Sequence, residues 1–117
     1  MTTQQIETID AAALKNALER GTELLLLDVR LAEGFEQAHL PGAVLATSDT
    51  IIDEAPRLIP DPARTVVTYC GSFSCRRSSR AAQRLSDLGY HVIEFPGGRE
   101  EWLEAGDPVE ECRSDPW

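Results

Sequence analysis

The stretch that most constrains the fold is an apolar run, Leu24-Leu25-Leu26-Leu27-Asp28-Val29, in which large side chains do not alternate with polar ones. A strand with one face in water shows such alternation, whereas a strand covered on both faces is continuously apolar. Strands covered on both faces are typical of parallel sheets, because the connections between parallel strands lay helices over the sheet. The run therefore predicts a buried strand in a mostly parallel sheet.

Strand and helix signals alternate along the rest of the chain. The predicted strands are residues 6–9, 24–29, 43–46, 65–69 and 91–95. The predicted helices are residues 11–20, 77–88 and 99–105, and residues 31–38 are predicted as a loop with one helical turn. Residues 51–58 are a further helix candidate, which Pro56 predicts to be short or broken. This alternation predicts an α/β domain in which a mostly parallel sheet of about five strands is flanked by helices on both faces.

The size of the chain, 117 residues, is that of one domain. We expect a single domain over residues 1–117, with its core at about 5–111 and a polar tail at 112–117. No apolar run approaches the roughly 20 residues of a membrane span, and the first residues carry no signal peptide. These features predict a cytoplasmic protein with no membrane partner.

A candidate reactive thiol stands where the predicted strand 65–69 ends. Cys70 follows that strand directly, and a short loop leads through a second cysteine, Cys75, into an arginine-rich helix. The first N–H groups of a helix lack partners within the helix, and the positive end of its dipole lies there. Both favour the thiolate, which is the nucleophilic form of cysteine. Because parallel strands end at one edge of the sheet, Asp28 and Arg30 are expected close to this thiol.

The charge of the chain is unevenly distributed. The net charge is −9, which argues against a nucleic-acid partner. Residues 70–86, however, contain four arginines and no acidic residue. A solvated helix face would explain such a cluster, but its position beside the candidate thiol favours a site that attracts small anions.

Three sets of residues, spread over nearly the whole chain, resemble signatures of the single-domain rhodanese family. The first set is Leu27-Asp28-Val29-Arg30, Gly34-Phe35 and Ala38-His39-Leu40-Pro41-Gly42-Ala43. The second is Tyr69-Cys70, Arg80-Ala81-Ala82-Gln83-Arg84-Leu85 and Leu88-Gly89-Tyr90. The third is Pro96-Gly97-Gly98-Arg99-Glu100-Glu101-Trp102 and Gly106-Asp107-Pro108-Val109.

The resemblance implies a sulfurtransferase, which moves sulfane sulfur from a small anionic donor such as thiosulfate to a thiophilic acceptor. A persulfide on Cys70 would carry the sulfur, and the N–H groups of the following loop would bind it, since they stabilise an anion without a countercharge. The substrate-binding residues implied in this way are Gly71, Ser72, Phe73, Ser74, Cys75, Arg76 and Arg77. The acceptor would be a thiol, a cyanide-like nucleophile or a protein. No metal or organic cofactor is implied.

The active-site loop departs from the usual rhodanese pattern. Two extra residues separate Cys70 from the Ala81-Ala82 pair, Phe73 replaces a glycine, and a second cysteine is present. The spacing Cys70-x5-Arg76 is similar to the phosphate loop of cysteine-dependent phosphatases, in which an arginine binds a tetrahedral oxyanion. A phosphatase or an arsenate reductase is therefore an alternative function, and a non-catalytic redox-sensing or binding module is another.

Several residues have both a functional and a structural interpretation. Cys75 is either a buried structural residue, a resolving thiol that forms a disulfide with Cys70, or the sulfur carrier itself. Asp28 and Arg30 are interpreted as an exposed structural ion pair near the site, of the kind that adds little stability. His39 is interpreted as a structural hydrogen-bonding residue, and Trp102 as part of the core.

Overall fold

The computed structural model describes residues 6–21, 23–72, 74–107 and 109. The strands are β1 (Glu7–Thr8), β2 (Leu24–Asp28), β3 (Val44–Leu45), β4 (Thr65–Tyr69) and β5 (Val92–Phe95). The helices are α1 (Ala11–Glu19), α2 (Ala32–Gln37), α3 (Ile51–Leu58), α4 (Arg77–Asp87) and α5 (Gly98–Glu104). The five strands form one sheet in the order β1-β5-β4-β2-β3, and every neighbouring pair is parallel. The predicted α/β fold with a five-stranded parallel sheet is confirmed.

Two apolar clusters cover the two faces of the sheet. On one face, Ala55 of α3 and Leu85 of α4 pack on Leu27 and Val66 of the central strands. On the other face, Leu14 of α1 and Trp102 of α5 pack against the sheet. The buried strand residues of this second cluster are Leu26, Val67, Tyr69 and Phe95. Both faces are therefore covered by helices, which explains why β2 has no polar alternation, and Trp102 is a core residue as predicted.

The structure differs from the predicted elements where the sheet and its helices end. The outermost strands β1 and β3 have only two residues each. The segment expected to hold one helical turn forms the six-residue helix α2, although none of its side chains is buried. Leu88 follows the apolar spacing of Ala81, Ala82 and Leu85 along α4, but unlike them it is not buried, and 52% of its surface is exposed. The chain turns at Gly89, with φ +98°, and Tyr90 beyond the turn packs on the core instead.

Pro56 lies inside α3 without breaking it. The helix runs from Ile51 to Leu58 and ends two residues after the proline. A proline lacks the N–H that would bond to the carbonyl four residues earlier, which here belongs to Ile52 on the first turn. Because α3 is short and buries Ile51 and Ala55 in the core, packing compensates for the missing bond.

Among the described residues, no helix has both the length and the apolar character needed to cross a bilayer. The predicted tail, residues 112–117, lies outside the described part of the chain, and the extent of the domain stays a prediction.

Candidate active site

The central strand β4 delivers Cys70 to the carboxyl edge of the sheet. Its side chain is 2% exposed and belongs to the apolar cluster beneath α4. Cys70 is joined by a disulfide to Cys75, and the two Cα atoms lie 6.2 Å apart. The loop between them therefore turns back on itself before α4 begins.

The loop after Cys70 is organised around a tight turn. The N–H of Cys75 donates to the carbonyl oxygen of Ser72 at 3.1 Å, and the hydroxyls of Ser72 and Ser74 lie 3.0 Å apart. The N–H of Cys75 is therefore engaged within the loop and does not point at the sulfur of Cys70, unlike the expectation for this loop. Phe73, also predicted to bind substrate, lies outside the described residues.

The start of α5 holds the first peptide groups of the loop in place. The N–H of Arg99 donates to the carbonyl of Cys70 at 3.0 Å, and the N–H of Glu100 donates to the carbonyl of Gly71 at 2.8 Å. Gly98 makes this approach possible, since it has φ +60° and a Cβ there would lie 2.2 Å from the oxygen of Cys70. Gly98 thus lies directly against the backbone of Cys70.

Asp28, at the end of β2, is the centre of a buried hydrogen-bond network. Its carboxylate accepts from Arg30 Nη2 at 2.6 Å and from Nε at 3.0 and 3.1 Å. It also accepts from the hydroxyl of Tyr69 at 2.9 Å. The Tyr69 oxygen in turn accepts from the N–H of Leu40 at 3.0 Å. Arg30 Nη2 further donates to Ala38 at 2.6 Å, so the network fixes the segment that carries α2.

Asp28 and Arg30 form the expected ion pair, but its predicted exposure is wrong. The side chain of Asp28 is fully buried, and that of Arg30 is 11% exposed. Burial lowers the pKa of Arg30, but its hydrogen bonds and charge contact with Asp28 outweigh burial, so the net pKa is raised. Burial also raises the pKa of Tyr69, and the adjacent carboxylate of Asp28 raises it further. The guanidinium therefore stays charged and the phenol stays a donor.

Two open pockets meet at the disulfide. The first, called here the Cys70 pocket, has a volume of about 410 Å³. It is lined by Arg30, Leu31, Glu33, Gly34, Gln37, Cys70, Gly71, Cys75 and Arg77. The second, called the Arg76 pocket, has a volume of about 490 Å³. It is lined by Ser74, Cys75, Arg76, Ser79, Arg80, Glu94 and Pro96. Cys75 borders both pockets, whereas Cys70 borders only the first.

The arginines of α4 and its N-cap have different surroundings. Arg77 donates to the hydroxyl of Ser48 at 3.0 Å and lies 3.4 Å from the carboxylate of Asp49. Arg84 donates to the carbonyl of Ser48 at 3.0 Å. Arg76 and Arg80 are exposed, and within the described ranges neither guanidinium has an ion-pair partner. The predicted anion-attracting residues are therefore divided, with Arg77 beside Cys70 and Arg76 beside Cys75.

Glu94 on β5 belongs to the site, although it is not among the residues predicted from the sequence. Its side chain is buried, with 8% exposure, and one carboxylate oxygen accepts from the hydroxyls of Ser78 at 2.7 Å and Ser79 at 2.8 Å. Thr68 on β4 donates to the carbonyl of Ser78 at 3.2 Å. Glu94 is the sole acidic residue in an otherwise apolar strand, and that break in the pattern was the available signal.

The surroundings of His39 are also defined. The Nδ1 of His39 lies 2.9 Å from the carbonyl oxygen of Phe35, and the two rings stack at 3.9 Å, so His39 is a structural residue at the end of α2. In the part of the chain that the structure describes, no group of three or more His, Cys, Asp or Glu residues is arranged to hold a metal ion.

The curated proteins similar to this chain include a transcriptional regulator and a sulfurtransferase. A 105-residue stretch is 33% identical to the HTH-type transcriptional regulator Rv0324 of Mycobacterium tuberculosis, covering 90% of this chain and 45% of that protein. A 72-residue stretch is 33% identical to the thiosulfate sulfurtransferase PspE of Escherichia coli, covering 62% of this chain and 67% of that protein. The chain thus spans less than half the length of the first relative and about two thirds of the second.

Solved structures and a family comparison agree with the observed topology. The solution NMR structure of the rhodanese-like domain of the Alr3790 protein from Anabaena sp. superposes with a TM-score of 0.79 at 29% identity. That match covers 100% of this chain and 86% of the other. The sequence profile of the rhodanese-like domain matches residues 10–105, which include every strand except β1 and every helix, as well as Cys70 and its loop. The chain belongs to the rhodanese-like domain family.

Proposed function

We propose that this protein is a sulfurtransferase that carries sulfane sulfur as a persulfide on Cys70. In the first half-reaction, the Cys70 thiolate attacks the outer sulfur of thiosulfate, an S–S bond forms on Cys70, and sulfite leaves with the electron pair of the broken bond. In the second, a thiolate or cyanide attacks the outer sulfur of the persulfide, and the Cys70 thiolate is regenerated. Neither step requires a metal or an organic cofactor.

The observation that carries the proposal is the position of Cys70 in the Cys70 pocket. The thiol lies at the carboxyl end of the central strand, where ligands bind in open parallel sheets. Arg30 and Arg77 line the same pocket. The charge of Arg30 is largely balanced by Asp28, whereas the partner of Arg77 is a solvent-exposed carboxylate at 3.4 Å. Arg77 is therefore the residue best able to attract a doubly charged donor into the pocket.

The reaction requires the disulfide between Cys70 and Cys75 to be open, since only a thiolate is nucleophilic. This requirement fits the cytoplasmic location expected from the sequence, because thiols there are kept reduced. In the reduced protein, Cys75 is a second thiol beside the persulfide.

The test is to treat the reduced protein with thiosulfate and to measure its intact mass and then thiocyanate production with cyanide. We expect a gain of one sulfur atom, mapped to the peptide that contains Cys70. Cys75→Ser is the matched control: it keeps the label, whereas Cys70→Ser loses both the label and turnover. A label that survives in Cys70→Ser and disappears in Cys75→Ser would reverse the assignment.

The disulfide supports a redox-sensing module as a second candidate function. In that case mild peroxide converts the reduced protein to the disulfide form, while thiosulfate leaves no sulfur on either cysteine. The phosphatase or arsenate reductase alternative has weaker support, because Arg76 lines the Arg76 pocket and not the pocket that contains Cys70. Hydrolysis of an aryl phosphate that is lost in Arg76→Ala would favour that alternative.

A further inference from the structure

The two sulfur atoms of the disulfide differ in access. A thiolate attacks a disulfide along the S–S axis, from the side opposite to the sulfur that leaves. In the disulfide form Cys70 is 2% exposed and belongs to the apolar cluster beneath α4, so an attacking thiolate has little access to its sulfur. Cys75 packs against the same cluster but is only partly buried, and it also borders the Arg76 pocket, which Cys70 does not line. Since access decides which sulfur reacts, an attacking thiolate is expected to react at the sulfur of Cys75.

The charged side chains around Cys75 favour the binding of an anion. Arg76 precedes α4 and Arg80 follows four residues later, so the two side chains lie on the same side of the helix. Both are exposed and both line the Arg76 pocket. The carboxylate of Glu94 also lines this pocket, but it is buried and accepts hydrogen bonds from the hydroxyls of Ser78 and Ser79. Two exposed cations therefore face one hydrogen-bonded anion.

We propose that the Arg76 pocket binds a small thiol that carries carboxylate groups and that this thiol reduces the disulfide at Cys75. Its thiolate attacks the sulfur of Cys75, a mixed disulfide forms there, and Cys70 leaves as a thiolate. A second thiol molecule attacks the outer sulfur of the mixed disulfide, which releases the oxidised thiol and the Cys75 thiolate. Two electrons pass to the protein, and each thiol loses one proton to solvent.

This inference goes beyond sulfur transfer, because it concerns how Cys70 becomes available and not what it then reacts with. The donor and the reductant approach from different sides: the donor enters the Cys70 pocket, and the reductant enters the Arg76 pocket. The reduction step depends only on the disulfide, so it holds for a sulfurtransferase and for a redox-sensing module alike.

The experiment compares two thiols of similar size on the disulfide form of the protein. Mercaptosuccinate carries two carboxylates and 2-mercaptoethanol carries none. Arg76→Ala is expected to slow reduction by mercaptosuccinate about fivefold, the value expected for one exposed ion pair, and to leave the rate with 2-mercaptoethanol unchanged. Arg84→Ala is the matched control, since it removes an arginine of the same helix outside the pocket, and both rates should stay at the wild-type values.

A second readout identifies the sulfur that is attacked. Rapid alkylation during the reaction, followed by peptide mass analysis, should find mercaptosuccinate on Cys75 and the alkyl group on Cys70. The reverse pattern would overturn the proposal, and so would an equal loss of rate with both thiols in Arg76→Ala. Sulfur loading by thiosulfate is measured separately on chemically reduced protein, so failure of the proposed function would be recognised independently.

Discussion

Replacing Gly98 by alanine tests whether the start of α5 positions the reactive thiol. Gly98 has φ +60°, and an added Cβ would lie 2.2 Å from the carbonyl oxygen of Cys70 and 2.8 Å from its carbonyl carbon. Both contacts are with backbone atoms, which cannot rotate away as a flexible side chain would. The Cys70 peptide group must therefore move by about 1 Å, since real Cβ contacts lie beyond 3.0 Å.

The expected cost has two parts. Alanine in the left-handed region costs about 1–2 kcal/mol. The displacement also weakens the bonds from Arg99 to Cys70 and from Glu100 to Gly71, each of which contributes about 1 kcal/mol. Gly98→Ala should therefore lower the free energy of unfolding by about 3–4 kcal/mol. A shift of this size at the nucleophile should slow persulfide formation by about 100-fold.

Urea unfolding of the reduced protein measures the first effect, and sulfur loading from thiosulfate measures the second. Gly21→Ala is the matched control, because Gly21 has φ +72° but no atom within 4 Å of an added Cβ. Gly21→Ala should lower the free energy of unfolding only by the cost of alanine in the left-handed region, about 1–2 kcal/mol. It should leave the rate of sulfur loading unchanged. If the two variants lose equal stability, or if Gly98→Ala loads sulfur at the wild-type rate, the contact with Cys70 does not position the thiol.

Two further predictions concern Tyr69. Tyr69→Phe should lower the free energy of unfolding by about 2–4 kcal/mol, because it removes a hydrogen bond to Asp28 and leaves the N–H of Leu40 without an acceptor. A loss below about 1 kcal/mol in urea unfolding would show that another group replaces the hydroxyl. The difference in unfolding free energy between wild type and Tyr69→Phe should also shrink as the pH rises above 10.0, the ordinary pKa of tyrosine. Burial raises the pKa of Tyr69 in the folded protein, so above that pH the folded protein retains a proton that the unfolded chain loses. The slope should approach about 1.4 kcal/mol per pH unit, and a gap that stays constant at alkaline pH would contradict the inferred burial of this phenol.

The sheet and the position of Cys70 could be predicted from local sequence patterns. The run in β2 has no alternation because helices cover both faces, and the same reason holds for the apolar residues of β4 before Cys70. These signals are contained within a few neighbouring residues. The residues that complete the site give no such local signal, because they meet only through the tertiary structure.

Asp28 illustrates what local patterns leave out. Its neighbours in sequence indicate a strand end, and this position predicts an exposed ion-pair partner. Its burial depends on the hydroxyl of Tyr69, which lies 41 residues away in the chain. Glu94 is a similar case, since its acceptor role depends on Ser78 and Ser79 at the start of α4. Arg76 and Cys70 likewise line different pockets because of the way the loop between them turns. The spacing of cysteines and arginines in the sequence does not define that turn.

The shortness of the outer strands bears on the behaviour of this domain at high concentration. A long exposed edge strand presents a row of free N–H and C=O groups, on which a strand of another molecule can add. In the described part of the chain β1 and β3 have two residues each, so these strands offer too few such groups to template an intermolecular sheet. The longer apolar strands β2 and β4 lie between other strands and are exposed only on unfolding. Resistance to aggregation should therefore follow the global stability of the domain, and not the state of its active-site loop.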